Sequence, residues 1–456
     1  VQVIYSGSLN FNGNSNTLTG GQVVNKDAAA VSLTANPPAT LGATVIFNAT
    51  IAAAAPGSGN PTGTAGLFID GAPVAGIQNQ PIAGGAVSFS VTDAGLLDQG
   101  DHSVFVRYNG DGNFLAGDSN TTTQNVKGDV TIGVLSNDNT SIYGDLVTFT
   151  ATVIGGPGTA GTPGGTVDFI IDGVNLGNNV ALGGGQATFQ IASLSATGSP
   201  HSVVVHYDGD AFFFTGNGSL AGGQSVAKAD TVVAVAAGPS ATTIFGQPVT
   251  ITATVNRQTA GFGTPDNTVD FFVDGIPVQP DVTLNAAGQA VIQLASLAVT
   301  GSPHSITVHY DGSGNFNASN GALAGGQTVN AAGTTTAVVS SLNPSVFQQN
   351  VTFTAQVTAH APSVAIPDGT VDFIIDNGAL VVSNVALDAS GKASYSTSAL
   401  AIGTHIVQVH YDGTSNFAAG DGSLAPDQVV NANPVVFVLV PGSVKSGAPF
   451  LVVVEF

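Results

Sequence analysis

A motif of the form Tyr-x-Gly-x-x-x-Phe begins at Tyr5, Tyr108, Tyr207, Tyr310 and Tyr411, in steps of 103, 99, 103 and 101 residues. An apolar run closed by Asp-Gly or Asp-Asn places its aspartate at Asp70, Asp172, Asp274 and Asp376, 102 residues apart each time. Two unrelated markers with one period mean that the 456-residue chain is a string of near-copies of one unit. Each unit must close its own core within about 100 residues, and any property of the chain must be sought in several diverged copies.

Each copy reads as strands. Val147, Phe149, Ala151 and Val153 alternate with Thr148, Thr150 and Thr152. The pattern returns as Val249, Ile251, Ala253, Val255, as Val351, Phe353, Ala355, Val357, and as Val45, Phe47, Ala49, Ile51. A period of two gives one buried and one wet face, and β-branched threonine suits the wet one. The expected order is an opening strand (Thr231 to Ala236 in one copy), the threonine strand, a Gly/Pro-rich loop (155–165), a strand over 167–172 closed at Asp172-Gly173, a strand over 187–191, a loop ending at His201, a strand over 203–207, and a last strand near Gly223 to Val226. Asp-Gly between apolar runs marks a tight hairpin turn. About seven strands per copy and no helical period predict an all-β fold, a two-sheet antiparallel sandwich of the immunoglobulin type.

Lys26, Lys127 and Lys228 fall 101 residues apart at the junctions. They place complete domains at 27–127, 128–228, 229–331 and 332–433, with the last two strands of a repeat at 1–26 and the first two of another at 434–456. Junctions of one or two residues predict sandwiches laid end to end as an elongated rod. The 60 glycines and 22 prolines supply a set of turns to every copy.

Composition narrows the chemistry. With no Cys there is no disulfide, thiolate nucleophile or Cys-ligated metal, so the core is aliphatic with Phe and Tyr. Seven basic residues against 28 acidic ones leave no footprint for nucleic acid. The apolar runs 435–440 and 450–454 are interrupted by Pro441, Gly442, Lys445 and Pro449, so no membrane insertion is expected in this segment, but the runs need a cover. Val1 carries neither an initiator Met nor a signal-peptide pattern, as expected of a processed chain or a fragment.

The strand ending in Asp-Gly, the Gly-Ser-Pro-His or Gly-Thr-His loop, the valine-rich strand ending in Tyr and the Tyr-x-Gly-Asp-x-Asn-Phe turn together resemble the bacterial immunoglobulin-like repeat of the group 3 type, over residues 1–433. Residues 436–456 are similar to the start of a different bacterial Ig-like domain, which implies a polypeptide continuing past Phe456. The resemblance implies a non-enzymatic structural segment of a large secreted or cell-surface protein of a bacterium or archaeon, such as the stalk or filament of an adhesin-like fibre. The expected location is extracellular or at the cell surface. Its partners are the neighbouring Ig-like domains and, in a filament, identical chains; a surface glycan or host partner is not specified. Head-to-tail β-strand complementation through the two cut ends is one alternative, and a carbohydrate- or calcium-binding array is another.

The candidate residues read mostly as structure. His102, His201, His304 and His405 share the parity of buried valines, and a rim histidine bonded to a loop carbonyl is expected, with no carboxylate recurring at ligand spacing. His206, His309 and His410 face outward and give way to Arg107, which no general base would tolerate. Asp168 and Asp172 on one strand, with Asp208 and Asp210 in one loop, are the best oxygen donors for calcium. Asp168 becomes Gly66, however, and Asp210 becomes Ser313 in other copies. The repeated Tyr reads as a corner bonded to backbone, and the Phe six residues later as a core plug. The run Phe212-Phe213-Phe214 must expose a ring. Lys392 has no counterpart for a cross-link, and Glu455 is the only Glu. No catalytic, cofactor-binding or metal site is assigned, and calcium is the one cofactor left open. Six Asn-x-Ser/Thr sites, at Asn48, Asn120, Asn139, Asn217, Asn317 and Asn350, matter only in a host that glycosylates them.

Overall fold

A computed structural model describes residues 1–434; the expected start of a further domain at 434–456 lies, from residue 435 on, outside the described residues. The chain divides into two compact units, Val1–Ala227 and one beginning at Lys228, and two complete copies fall in each.

The second copy serves as reference. Its strands are β1 (Val130–Ser136), β2 (Thr140–Ile142), β3 (Val147–Gly155), β4 (Thr166–Ile171), β5 (Val174–Ala181), β6 (Gln186–Ile191), β7 (Val203–Tyr207), β8 (Gly216–Ser219) and β9 (Ser225–Ala227). One sheet runs β1-β3-β6 and the facing sheet β5-β4-β7-β8, all antiparallel, while β2 and β9 pair in parallel. This is the tandem antiparallel sandwich that the period-2 pattern predicts. The buried face of β3 (Val147, Phe149, Ala151, Val153) packs with Val167, Phe169 and Ile171 of β4 and Val203, Val205 and Tyr207 of β7. Phe169 stacks on Phe189 of β6 at 5.6 Å between ring centres, which ties the two sheets.

Nine strand segments replace the expected seven. Asp172-Gly173 turns β4 into β5, and only β5 leads on to β6. β5 is an edge strand, Val-Asn-Leu-Gly-Asn-Asn-Val-Ala, with mostly exposed side chains. An edge strand that buries neither face carries no alternation to be read. β8 escapes notice for a different reason. It passes so close to β1 that a Cβ on Gly218 would lie 2.5 Å from the Ile132 carbonyl oxygen, and Gly321 and Gly422 press equally on Val233 and Thr336 in later copies. Glycine there reflects a close backbone approach and looks like a loop in sequence.

In the first copy the β5 equivalent breaks into Ala72–Pro73 and Gln80–Pro81. Elsewhere Asp168, Asp270 or Asp372 accepts the N–H of Asn179, Asp281 or Asn384, residues with φ of 53°, 53° and 62°, which fixes a bulge in the edge strand. Gly66 replaces that aspartate, and Gln78 fills the space, donating from Nε2 to the Leu67 and Val74 carbonyls at 2.7 and 3.0 Å. Proline at both fragments removes further donors.

Residues 1–26 form a hairpin pairing Gln2–Tyr5 with Asn14–Thr17. Its Val1, Val3 and Tyr5 are 72%, 70% and 51% exposed, whereas their counterparts Val203, Val205 and Tyr207 are buried.

Because nearest-neighbour coupling leaves repeats nearly independent, Phe169→Ala should lower the stability of the second copy by about 3–5 kcal/mol through cavity formation. Denaturant unfolding of the whole chain should show one transition moving to lower midpoint with the others in place.

Candidate functional site

The turn aspartate and the buried histidine meet in every complete copy. Nδ1 of His102, His201, His304 and His405 lies 2.7, 2.6, 2.7 and 2.7 Å from Oδ2 of Asp70, Asp172, Asp274 and Asp376. Nε2 of the same rings lies 2.9, 2.6, 2.7 and 2.8 Å from the carbonyl oxygens of Asp98, Ser195, Ala298 and Ala401. The loop carbonyl is as expected; the carboxylate corrects the expectation that none recurs. The other aspartate oxygen accepts the N–H of the residue after the histidine. Each aspartate has φ near +50°, a left-handed turn position that Asp tolerates, and this aims its carboxylate back over the start of the β7 strand.

Hydrogen bonding from His102, His201 and His304 holds Asp70, Asp172 and Asp274 below the usual carboxylate range. For His102, His304 and His405 burial opposes the charged ring, but the carboxylate and the loop carbonyl together outweigh it, and the imidazole is raised above its ordinary value.

A second tie was not found by sequence reasoning. Gln124, Gln224, Gln327 and Gln428 are fully buried at the start of the last strand. Gln224 donates from Nε2 to the Asp138 carbonyl (2.7 Å) and accepts at Oε1 from Ser136 (2.7 Å). Gln428 does the same with Leu342 (2.9 Å) and Ser340 (2.6 Å). The first and third copies lack the serine, and Oε1 of Gln124 and Gln327 has no partner. The recurrence of Gln-x-Val near one period was the available signal.

The tyrosines are the expected corners. Tyr108, Tyr310 and Tyr411 donate to the carbonyls of Thr62, Asp266 and Asp368 at 2.8, 2.7 and 2.7 Å. Tyr207 differs in that its buried hydroxyl has no carbonyl partner; burial and then the nearby Asp210 carboxylate push its phenol up. Phe114, Phe213, Phe316 and Phe417 are buried plugs, and Phe212 is the exposed ring.

The proposed calcium donors are occupied locally. Asp168 holds the Asn179 N–H, Asp172 holds His201, Asp208 accepts from Thr166 Oγ1 at 2.5 Å, and Asp210 accepts from the N–H groups of Gly164, Phe212 and Phe213. Among the described residues, three carboxylates approach within 4.8 Å only at Asp270, Asp281 and Asp311. Asn179 and Asn384 occupy the Asp281 position elsewhere. On the same outward face His206, His309 and His410 pair through Nδ1 with Asn217, Asn320 and Asp421 at 2.6–2.7 Å. Arg107 instead forks onto Asp118 (2.6 and 2.7 Å) and lies over the stacked rings of Phe68 and Phe105.

Junction residues work on the loop of the tyrosine motif. Lys26, Lys127 and Lys228 donate to the carbonyls of Asp111, Asp210 and Ser313. Within the first unit, Gln99 of the first copy donates from Nε2 to the Phe212 carbonyl and accepts at Oε1 from the Ala160 N–H, both at 2.7 Å. Within the second unit, Val299 of the third copy donates its N–H to Asn416 Oδ1 of the fourth at 3.1 Å, and Phe245 meets Phe417 edge-on at 5.2 Å.

Residues 31–127, 134–227, 235–330 and 337–431 each match the bacterial Ig-like domain (group 3). The chain belongs to this family. Its group 3 copies form a tandem structural repeat region. Among solved structures, domains A168–A170 of titin align over 64% of this chain and 97% of theirs, at 12% identity and a TM-score of 0.29. The four N-terminal Ig domains of Dscam1 isoform 8.4 align over 89% and 100%, at 14% identity and 0.23. The three N-terminal domains of the bacteriophage RB49 Hoc capsid protein align over 67% and 100%, at 12% and 0.20. No curated protein matches the chain. Among the described residues no helix is long and apolar enough to cross a membrane.

Ser136→Ala or Ser340→Ala would leave the buried Oε1 of Gln224 or Gln428 without a donor. Each should destabilise its group 3 copy by about 1–3 kcal/mol, read as a lower denaturant midpoint for that copy.

Proposed function

We propose that this chain is a non-enzymatic spacer from an exported bacterial or archaeal surface protein, serving as the stalk or filament of an adhesin-like fibre. The observation that supports it is how the repeated polar residues are used. The histidines, turn aspartates, glutamines and tyrosines that recur from copy to copy bond to the backbone or side chains of their own copy, and each junction lysine bonds to the backbone of the copy it precedes. A spacer of this kind bears tension by unfolding one domain at a time. Pulling single molecules from both ends should give four separate unfolding events, each releasing on the order of 300 Å of chain for about 100 residues. A single cooperative rupture would contradict the proposal.

Two other readings draw on particular observations. The exposed apolar face of the 1–26 hairpin favours head-to-tail strand complementation, and sedimentation that finds only monomer at high concentration would count against it. The Asp270, Asp281 and Asp311 trio favours calcium in one copy alone. On the spacer reading the melting profile is the same in calcium and in chelator; a chelator-induced drop in the third copy would restore the calcium reading.

A further inference from the structure

The loop that the buried imidazole grips is also the loop that reaches the next copy. His102 Nε2 holds the carbonyl of Asp98, and the following residue, Gln99, makes two of the hydrogen bonds to the second copy, beside those from Asn125 and Lys127. His304 Nε2 holds the carbonyl of Ala298, and the following residue, Val299, makes the hydrogen bond to Asn416 of the fourth copy. The targets also correspond: Phe212 and Asn416 each precede the buried phenylalanine of a tyrosine motif, Phe213 or Phe417. The same coupling thus occurs independently in each compact unit.

Both neighbours of each ring are acceptors. A carboxylate and a backbone carbonyl have no proton to give, whereas neutral imidazole has one N–H and one lone pair. At 2.7–2.9 Å a deprotonated ring would face one of them lone pair to lone pair. If the bridging proton sits on the aspartate instead, the pair still carries the same number of protons. We propose that protonation of the His102 and His304 pairs sets how firmly the joints between the first and second copies, and between the third and fourth, are held.

The charged groups around the rings are few. His102 faces Asp70 and, at 3.3 Å, Asp98 Oδ1; Asp101 beside it is turned to Asn125 Nδ2 at 2.7 Å. His304 faces Asp274. Both imidazoles are raised above their ordinary value despite the opposing burial. A group with a raised folded value gives its full stabilisation below the unfolded value, about 6.5, and loses it as pH climbs through the folded value. The aspartates are lowered, so their part holds above about 3.8 and is lost only as pH falls below that. The joints are therefore tightest in mildly acidic solution and loosen on the alkaline side.

The chain has no cysteine, so introduced pairs label uniquely. Spin labels at Ser90→Cys and Thr188→Cys, both exposed, span the first joint, and labels at Gln293→Cys and Ser396→Cys span the second. The distance distributions measured by pulsed electron resonance on the whole chain should be narrow at pH 5.5. They should broaden by pH 8.5, with a midpoint above about 6.5. His102→Gln should remove the pH dependence of the first joint, and His304→Gln that of the second. Widths that do not change with pH, or a pH dependence that survives these substitutions, would overturn the proposal. If a variant fails to fold, ring nitrogen-15 and carboxyl carbon-13 spectra of the unsubstituted chain decide it: loss of one proton from the His102–Asp70 and His304–Asp274 pairs with a midpoint above about 6.5 supports it, and signals of both pairs that stay unchanged from pH 5.5 to 8.5 overturn it.

Discussion

Pairing of β4 with β7 sets the geometry of a complete copy. Its register places Val167 opposite Tyr207 and Ile171 opposite Val203. At one end this brings the turn aspartate Asp172 over His201 and Ser202; at the other it points the Tyr207 ring into the core beside the tyrosine-motif loop. A slip of one residue would turn valines outward and also separate the aspartate from its histidine. With no disulfide and no Trp, the sandwich relies on this one register to bury its apolar layer and to satisfy the polar groups at its ends.

The diverged copies act as substitutions already made. Where Gly66 replaces the edge-strand aspartate, the bulge is lost and Gln78 fills the gap, yet the core register of that copy persists. Where the serine partner is missing, a buried glutamine oxygen stays unpaired and the strand still forms. Core burial therefore tolerates local polar loss. The Asp–His tie is kept in all four complete copies, and in two of them it reaches the next domain through one adjoining residue.

The same residues show where sequence inference succeeds. The threonine strand, the buried Tyr and Phe and the outward His206 are legible because a period of two records which face each side chain occupies. β5 and β8 are not, since an edge strand with exposed side chains and a glycine strand pressed on its neighbour leave no alternation. The tie between Asp172 and His201 left a trace, as both residues recur with the repeat, but residues 29 apart in sequence signal no contact until the hairpin and the facing strand are in place.

The sequence by itself determined the repeat, the strands that alternate, the side chains that enter the core and hence the class of sandwich, because burial is a property each residue shows along its own strand. Only the tertiary structure decided which polar groups meet: that the turn aspartate closes on the histidine, that Gln224 clamps a loop 86 residues before it, and that Gln99 and Val299 reach the following copy. A hydrogen bond depends on the distance and direction between two groups on different strands, and that relation is fixed by register and, within each unit, by the contacts of one copy with the next.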